Sequence, residues 1–255
     1  ACSYYLALCA LVGSCSWLIF SRRIGLFPAT IGGVIWVFWV DNMNVIFTSG
    51  NYPRVLTIAL LPILLELFSR LLEGNLKRRW YIAIIIIVAI MVCSHAMITA
   101  VYCISLMTFA LVLWLMGSAS FRGILRCGLT LVGGILCSAW WLLPSQTGAG
   151  SGFNSEVVSG AITFVPFTIS FNPSYRWSEF YWGVSLVLVI LVVCFTWKKH
   201  SHWARGLFLT SILMLIFTLP IMKALQGLLP LQEYIWPVRF SSFWSLALIL
   251  AGLSF

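Results

Sequence analysis

Long apolar runs separated by short polar or basic stretches dominate the sequence. A run of about 20 apolar residues can cross the hydrocarbon core of a bilayer as a helix. The pattern predicts nine membrane segments, at about residues 3–20, 24–40, 53–72, 80–94, 97–117, 123–143, 182–197, 206–222 and 240–255. The sequence lacks the alternating ten-residue segments that are typical of a transmembrane barrel. We therefore predict an all-α fold, a polytopic helical bundle in a membrane.

Composition and charge support this class. The chain is 62% hydrophobic and 8% charged, whereas a soluble domain carries about 25% charged residues. The net charge is +9, but the basic residues form short clusters between apolar runs. This distribution is typical of cytoplasmic loops that face anionic lipid. The predicted partner is therefore membrane lipid, and nucleic acid is not expected.

The basic clusters also predict the orientation. With Arg22 and Arg23 in the cytoplasm and nine alternating segments, eleven of the fifteen Lys and Arg residues lie inside, at positions 22, 23, 70, 77, 78, 79, 122, 126, 198, 199 and 205. Four of the six acids then lie outside, namely Asp41, Glu156, Glu179 and Glu233. This asymmetry follows the positive-inside rule and predicts an outward amino-terminal end.

The segments are expected to form a single transmembrane domain over residues 1–255. The polar stretch at 145–181 is predicted to be an outer loop or a re-entrant segment. Both ends of the sequence fall at or within apolar runs, so we expect the chain to be part of a longer protein.

The predicted topology gathers a group of polar residues on the outer side: Asp41, Asn42, Asn44, Asn51, Arg54, His95, Glu156, Glu179, Glu233 and Arg239. An acid in such a place can hold a divalent cation or act as a base, and the planar guanidinium of arginine suits a phosphate. For Asp41 and Arg54 the alternative is an ion pair that only fixes the loop between them. For Arg239 the alternative is an interfacial anchor at the start of the last segment.

His95 is expected to lie below the outer surface. The fifteen residues from Trp80 to Ser94 rise only about 22 Å, less than the roughly 30 Å of the hydrocarbon core. His95 should therefore face protein or a water-filled cavity, or bond to a neighbouring helix. Near the inner side, Glu66 with Arg70 and Glu73 with Lys77 have the spacing of ion pairs on one helical face.

Four short stretches resemble a known family: Asp41-Asn42, Gly50 to Leu56 with Leu60-Leu61-Pro62, Ser94-His95, and Trp236 to Phe240. The family is that of multispanning bacterial membrane proteins labelled "6-pyruvoyl-tetrahydropterin synthase-related". The histidine cluster of the soluble zinc-dependent pterin synthase is absent from this sequence. The resemblance implies a GT-C-type glycosyltransferase of the bacterial plasma membrane. Such an enzyme takes its sugar from a polyprenyl-phosphate donor at the outer leaflet, in envelope glycan assembly.

The resemblance carries over Asp41, Arg54, His95 and Arg239 as motif residues, with their roles open. From the outer-side group of polar residues, the catalytic candidates are Asp41 and His95, and the substrate-binding candidates are Asn42, Asn44, Arg54, Glu233 and Arg239. A divalent metal ion is the one cofactor considered, with its ligands unassigned. In enzymes of the GT-C type an acid in the first outer loop usually acts as base or metal ligand, and that loop would precede Ala1. Two other functions stay open: a transporter or flippase for a lipid-linked or anionic substrate, and a non-catalytic membrane scaffold.

Overall fold

The computed structural model describes residues 2–39, 42, 43, 45, 51–74, 77–147, 183–228 and 235–254. Within these residues the chain is helical and contains no strand, so the predicted all-α class is confirmed. Asp41, Asn44, Glu233 and nearly all of the predicted outer stretch at 145–181 lie outside the described residues.

The described α-helices are numbered in chain order. They are α1 Cys2–Ser16, α2 Ser21–Ile24, α3 Leu26–Val37, α4 Tyr52–Leu72, α5 Arg78–Leu115, α6 Phe121–Cys137, α7 Ala139–Thr147, α8 Gly183–Phe195, α9 His202–Phe217, α10 Lys223–Gln226 and α11 Ser241–Leu253. Short 3-10 helices lie at Trp17–Phe20, Trp197–Lys199, Pro220–Met222 and Pro237–Phe240.

Helix α4 forms the centre of the described core. Its 21 residues give a length of about 31 Å, enough to cross the hydrocarbon core. Asn51 caps its first turn, because the Asn51 side chain accepts a hydrogen bond from the backbone N–H of Arg54 at 3.3 Å. Pro53 occupies the first turn, where a missing N–H costs nothing. Most of the helix is buried, including Leu61, Leu64 and Leu65.

Helix α5 folds back on itself at His95. Its 38 residues would span about 57 Å as one straight helix. However, α6 begins six residues after the end of α5. Its residue Gly123 lies against the carbonyl oxygen of Leu72, which is six residues before the start of α5. His95 is the one residue inside α5 with non-helical backbone angles, φ −157° and ψ 88°. The chain therefore turns here, as the break between the predicted segments at 80–94 and 97–117 requires.

The turn places the described polar residues at two opposite ends of the bundle. Arg54 and Arg70 of α4 are sixteen positions apart, or about 24 Å along the helix. Arg23 binds Glu66 and Glu73 at the Arg70 end. Its guanidinium also lies over the Trp203 ring, two residues before Arg205, so Arg205 belongs to the same end. His95 and Arg239 meet at the other end. The positive-inside rule predicts that the basic end faces the cytoplasm, and we refer to it as the cytoplasmic end.

The cytoplasmic end is held by a buried charge network. The Glu66 side chain is 1% exposed and accepts from Arg23 Nε at 2.5 Å and from Arg70 Nε at 2.7 Å. The predicted Glu66–Arg70 pair is thus confirmed. Glu73 pairs with Arg23 at 2.7 Å rather than with Lys77, because Arg23 offers two further guanidinium nitrogens to it. The network ties the first helices to α4.

Three helical stretches are long and apolar enough to cross a membrane: Ser3–Ile24, Tyr52–Leu72 and Arg78–Leu115. Shorter apolar helices lie at Leu26–Val37, Leu186–Phe195, His202–Phe217 and Pro237–Leu253. The helical membrane class is therefore established. The number of nine crossing segments stays a prediction.

Gly134 provides a test of the packing between α5 and α6. A Cβ at this position would lie 2.5 Å from Val88 Cβ and 3.0 Å from the Ile85 carbonyl oxygen. We expect Gly134→Ala to destabilise the protein by about 1–3 kcal/mol, as overpacking does in other cores. Thermal unfolding in detergent measures the change.

The matched control is Gly133→Ala on the same turn. Its Cβ would meet Ile85 at an ordinary 3.5 Å, and alanine favours a helix over glycine by about 1 kcal/mol. Equal destabilisation by the two changes would contradict the close approach of α6 to α5 at Gly134.

Candidate functional site

Arg54 lies in the first turn of α4 and is almost fully buried, with 3% of the residue exposed. Its Nη2 donates to Ser242 Oγ at 3.3 Å. Ser242 belongs to α11 and is itself buried. The backbone carbonyl of Arg54 accepts from Thr57 Oγ1 at 2.7 Å, so the first turn is fixed. The guanidinium group is thus held inside the bundle, near the outer end of α4.

Arg239 approaches the same end from the 3-10 helix that precedes α11. Its guanidinium carbon lies 4.6 Å from the centre of the Trp236 ring, an arrangement that stabilises a cation over an aromatic face. The neighbouring Phe240 is buried and packs edge-on against Phe217 of α9 at 5.2 Å. Packing of the flanking aromatic residues therefore fixes the position of Arg239.

His95 lies at the turn of α5 and caps its second half. The ring Nδ1 accepts from the backbone N–H of Ile98 at 3.5 Å, three residues ahead, as an N-cap side chain does. The His95 carbonyl accepts from Thr99 Oγ1 at 3.0 Å. The other ring nitrogen, Nε2, lies 3.4 Å from Arg239 Nη1.

The structure thus brings together three of the predicted site residues, His95, Arg54 and Arg239. Both guanidinium groups lie close enough to act electrostatically on the His95 ring. A neutral imidazole has a single acceptor nitrogen, and arginine has only donors. Whether Nε2 donates or accepts in its contact with Arg239 depends on the tautomer of the ring. In the tautomer with the proton on Nε2, both groups are donors, and an anionic oxygen beside them would accept from both.

The remaining predicted site residues do not join this group among the described residues. Asn42 is 2% exposed, and its Nδ2 donates to the Trp36 carbonyl at 2.5 Å. It lines a separate small cavity with Trp36, Val55 and Ile58. Asp41, Asn44 and Glu233 lie outside the described residues, so the Asp41–Arg54 pairing stays a prediction.

The cationic character of the cluster decides what it can bind. In the described part of the chain, no group of three or more His, Cys, Asp or Glu residues is arranged to hold a metal ion. Two arginines beside a histidine repel a divalent cation and attract an anion. The two guanidinium groups are donors of the kind that binds phosphate, and the ligands of a divalent metal ion stay unassigned.

Ser242 is the member of the site that the sequence analysis missed. It lies 188 positions after Arg54, within an apolar segment. A possible signal is the spacing of Ser242 and Ser245, since residues three apart share one helical face.

These features define an all-α integral membrane protein with a cluster of two arginines and a histidine at one end of its helices. The family model described as "6-pyruvoyl-tetrahydropterin synthase related domain; membrane protein" matches residues 1–255. The chain belongs to that family. Searches among curated proteins and among solved structures found no match to it.

His95 caps the second half of α5 through Nδ1 and contacts Arg239 through Nε2. Two substitutions separate the cap from the rest of the side chain. His95→Ala removes the cap and should destabilise the protein by about 0.5–2 kcal/mol, whereas His95→Asn keeps a good capping side chain and should change stability little. Thermal unfolding of both variants checks this. A larger loss in His95→Asn than in His95→Ala would contradict the capping role.

Proposed function

We propose that this protein is a membrane glycosyltransferase that uses a polyprenyl-phosphate-linked sugar at the outer leaflet, in assembly of envelope glycans. The observation that carries the proposal is the contact between His95 and Arg239, with Arg54 within electrostatic range of the same ring, at the end of the bundle opposite the basic end. The family resemblance supplies the expected class of reaction, and the cluster supplies a place for the donor phosphate.

Burial of Arg54 favours its interaction with an anion such as phosphate. Arg54 is nearly inaccessible, and a charge in such surroundings interacts more strongly with a counter-ion than it does in water. Ionised groups within a membrane protein are costly and usually serve a function.

The proposed reaction uses the phosphate as the leaving group. An acceptor hydroxyl attacks the anomeric carbon of the sugar, the bond from that carbon to the phosphate oxygen breaks, and polyprenyl phosphate leaves with the bonding electrons. Arg54 and Arg239 stabilise the charge that develops on the leaving oxygen, as preorganised donors do in other transferases. His95 holds the phosphate through Nε2, and Asp41 is the proposed base for the acceptor proton. A divalent metal ion, if used, would be bound by Asp41 and not by this cluster.

The transporter alternative is less well supported. A conduction path needs polar groups through the depth of the membrane. Along α4, the described residues between the two polar ends are mostly buried and apolar, for example Ile58, Leu61 and Leu65. The charged residues of α4 lie toward its two ends, with Arg54 at one end and Glu66 and Arg70 toward the other, which favours a one-sided reaction over passage through the bundle.

An assay of the protein in sealed proteoliposomes distinguishes the two functions. Polyprenyl-phosphate sugar labelled in the sugar is supplied outside with an envelope glycan fraction as acceptor. We expect label in the glycan and release of polyprenyl phosphate, both strongly reduced in His95→Asn although this variant folds. Label that crosses the bilayer with its donor intact would instead establish transport and refute the transferase proposal.

A further inference from the structure

The cytoplasmic ends of α5 and α6 carry arginines that no described carboxylate neutralises. Arg78, Arg122 and Arg126 are exposed. The described acids are Glu66 and Glu73, and both already pair with arginines of the buried network. Neither helix has an acid in its first turn, where one would offset the positive end of the helix dipole. This cationic patch is separate from the proposed donor site.

The helix register places these arginines on facing sides. A Cβ at Gly133 would lie 3.5 Å from the Ile85 side chain, so α6 packs here against the first half of α5. The two stretches run in the same direction, both starting at the cytoplasmic end. Arg126 lies seven positions before Gly133, and Arg78 lies seven positions before Ile85. Seven positions are almost two helical turns, so each arginine lies on the face of its helix that makes this contact. Arg122 follows one turn further out.

Each helix continues from its arginines into a row of exposed aliphatic side chains. On α5, Arg78 is followed at four-residue spacing by Ile82, Ile86 and Ile90, which are 53%, 52% and 44% exposed. On α6 the corresponding row is Leu125, Leu129, Val132 and Leu136, all at least 49% exposed. Residues at these spacings share one side of a helix. The surface therefore has a cationic base at the membrane interface and an apolar wall that rises into the bilayer.

We infer that this patch is a binding site for an anionic lipid of the inner leaflet, whose phosphate bridges Arg78 and Arg126 while its acyl chains lie along the two aliphatic rows. Like charges on facing helices repel, and a shared phosphate removes the repulsion. Basic pockets between membrane helices on the cytoplasmic side are known to bind such headgroups. The continuous apolar wall favours a lipid over a free phosphate ion.

The test is a titration of the protein, in neutral detergent, with short-chain phosphatidylglycerol. Bound lipid is counted by native mass spectrometry. Phosphatidylcholine of the same chain length and inorganic phosphate serve as the comparison ligands. We expect saturable binding of phosphatidylglycerol that the other two ligands do not compete away.

Removing two charges from the patch, in Arg78→Gln with Arg126→Gln, should weaken binding by about 30-fold, at ~1 kcal/mol for each arginine. The matched control is Lys198→Gln with Lys199→Gln, two exposed cations at the same end of the protein. This control should change the affinity for phosphatidylglycerol by no more than about threefold, because the surface potential of distant charges falls off within a Debye length. The pair Arg78→Lys and Arg126→Lys should retain most of the binding.

Two results would overturn the inference. Equal weakening by the two glutamine pairs would mean that only the overall surface charge attracts the lipid. Competition by inorganic phosphate at equal concentration would mean that the patch binds a free anion and that the aliphatic rows contribute nothing.

Discussion

Glu66→Gln is expected to destabilise the protein by about 3–5 kcal/mol, the loss typical of removing one partner of a buried ion pair. The Glu66 carboxylate is 1% exposed and binds Arg23 and Arg70 at once. Glutamine has nearly the same shape but no charge. It would leave two guanidinium groups facing each other without a shared counter-ion, a cost that little solvent reaches to relieve.

Glu73→Gln is the matched control, since it removes the same charge from the same network. The Glu73 side chain is 37% exposed, so solvent screens its interaction with Arg23, and we expect a loss of about 1 kcal/mol or less. Equilibrium unfolding in mixed detergent micelles measures both variants. Similar losses for the two would show that burial of Glu66 does not determine the stability of this end.

Arg239→Ala is expected to weaken donor binding by about 10- to 100-fold, because hydrogen bonds to charged groups contribute roughly 1.5–3 kcal/mol each. The guanidinium lies over Trp236 and beside His95, so it is held ready for a phosphate rather than recruited from solvent. Preorganisation of this kind avoids the entropy cost of ordering a long side chain on binding.

Arg239→Lys separates charge from geometry. Lysine keeps the positive charge but lacks the planar fork that binds phosphate in a bidentate manner and that stacks on an aromatic ring. We expect intermediate affinity, measured by titration with a fluorescent polyprenyl-phosphate sugar. Full affinity in Arg239→Ala would remove this residue from the donor site and return it to the role of an interfacial anchor.

Much of the fold follows from local sequence patterns. The helical class, the start of α4 near Pro53 and the interruption at His95 were predictable, because apolar runs, first-turn proline and a lone histidine in an apolar run are local signals. The Glu66–Arg70 pair was predictable for the same reason, since its partners are four residues apart. The number of nine crossing segments was also predicted from local apolar runs. It stays a prediction, because several described apolar helices are shorter than a bilayer core requires.

The long-range contacts were not predictable in this way. Arg23 binds Glu66 and Glu73 across 43 and 50 positions, and no spacing rule connects a loop arginine with a distant helix. Glu73 therefore appeared to belong to Lys77. The convergence of His95 and Arg239, 144 positions apart, was foreseen only as far as topology placed both residues on one side. That they approach within hydrogen-bonding range depends on the packing of α4, α5 and α9.

The two ends of the bundle use arginine in different ways. At the cytoplasmic end, Arg23 and Arg70 are neutralised by carboxylates of the same chain, so their charge stabilises the fold. At the other end, Arg239 lies beside His95, and Arg54 lies within electrostatic range of the same ring. In the proposed function these two arginines bind the phosphate of the donor.

The most direct test of the central claim is the affinity of the protein for a polyprenyl-phosphate sugar, with and without Arg54→Ala. A polyprenol-linked sugar that lacks the phosphate serves as the comparison ligand, and thermal unfolding confirms that the variant is folded. Our account predicts tight binding of the phosphate donor, loss of that preference in Arg54→Ala, and little change for the uncharged ligand. Unchanged affinity in a folded Arg54→Ala protein would contradict it and leave Arg54 as a structural partner of Ser242.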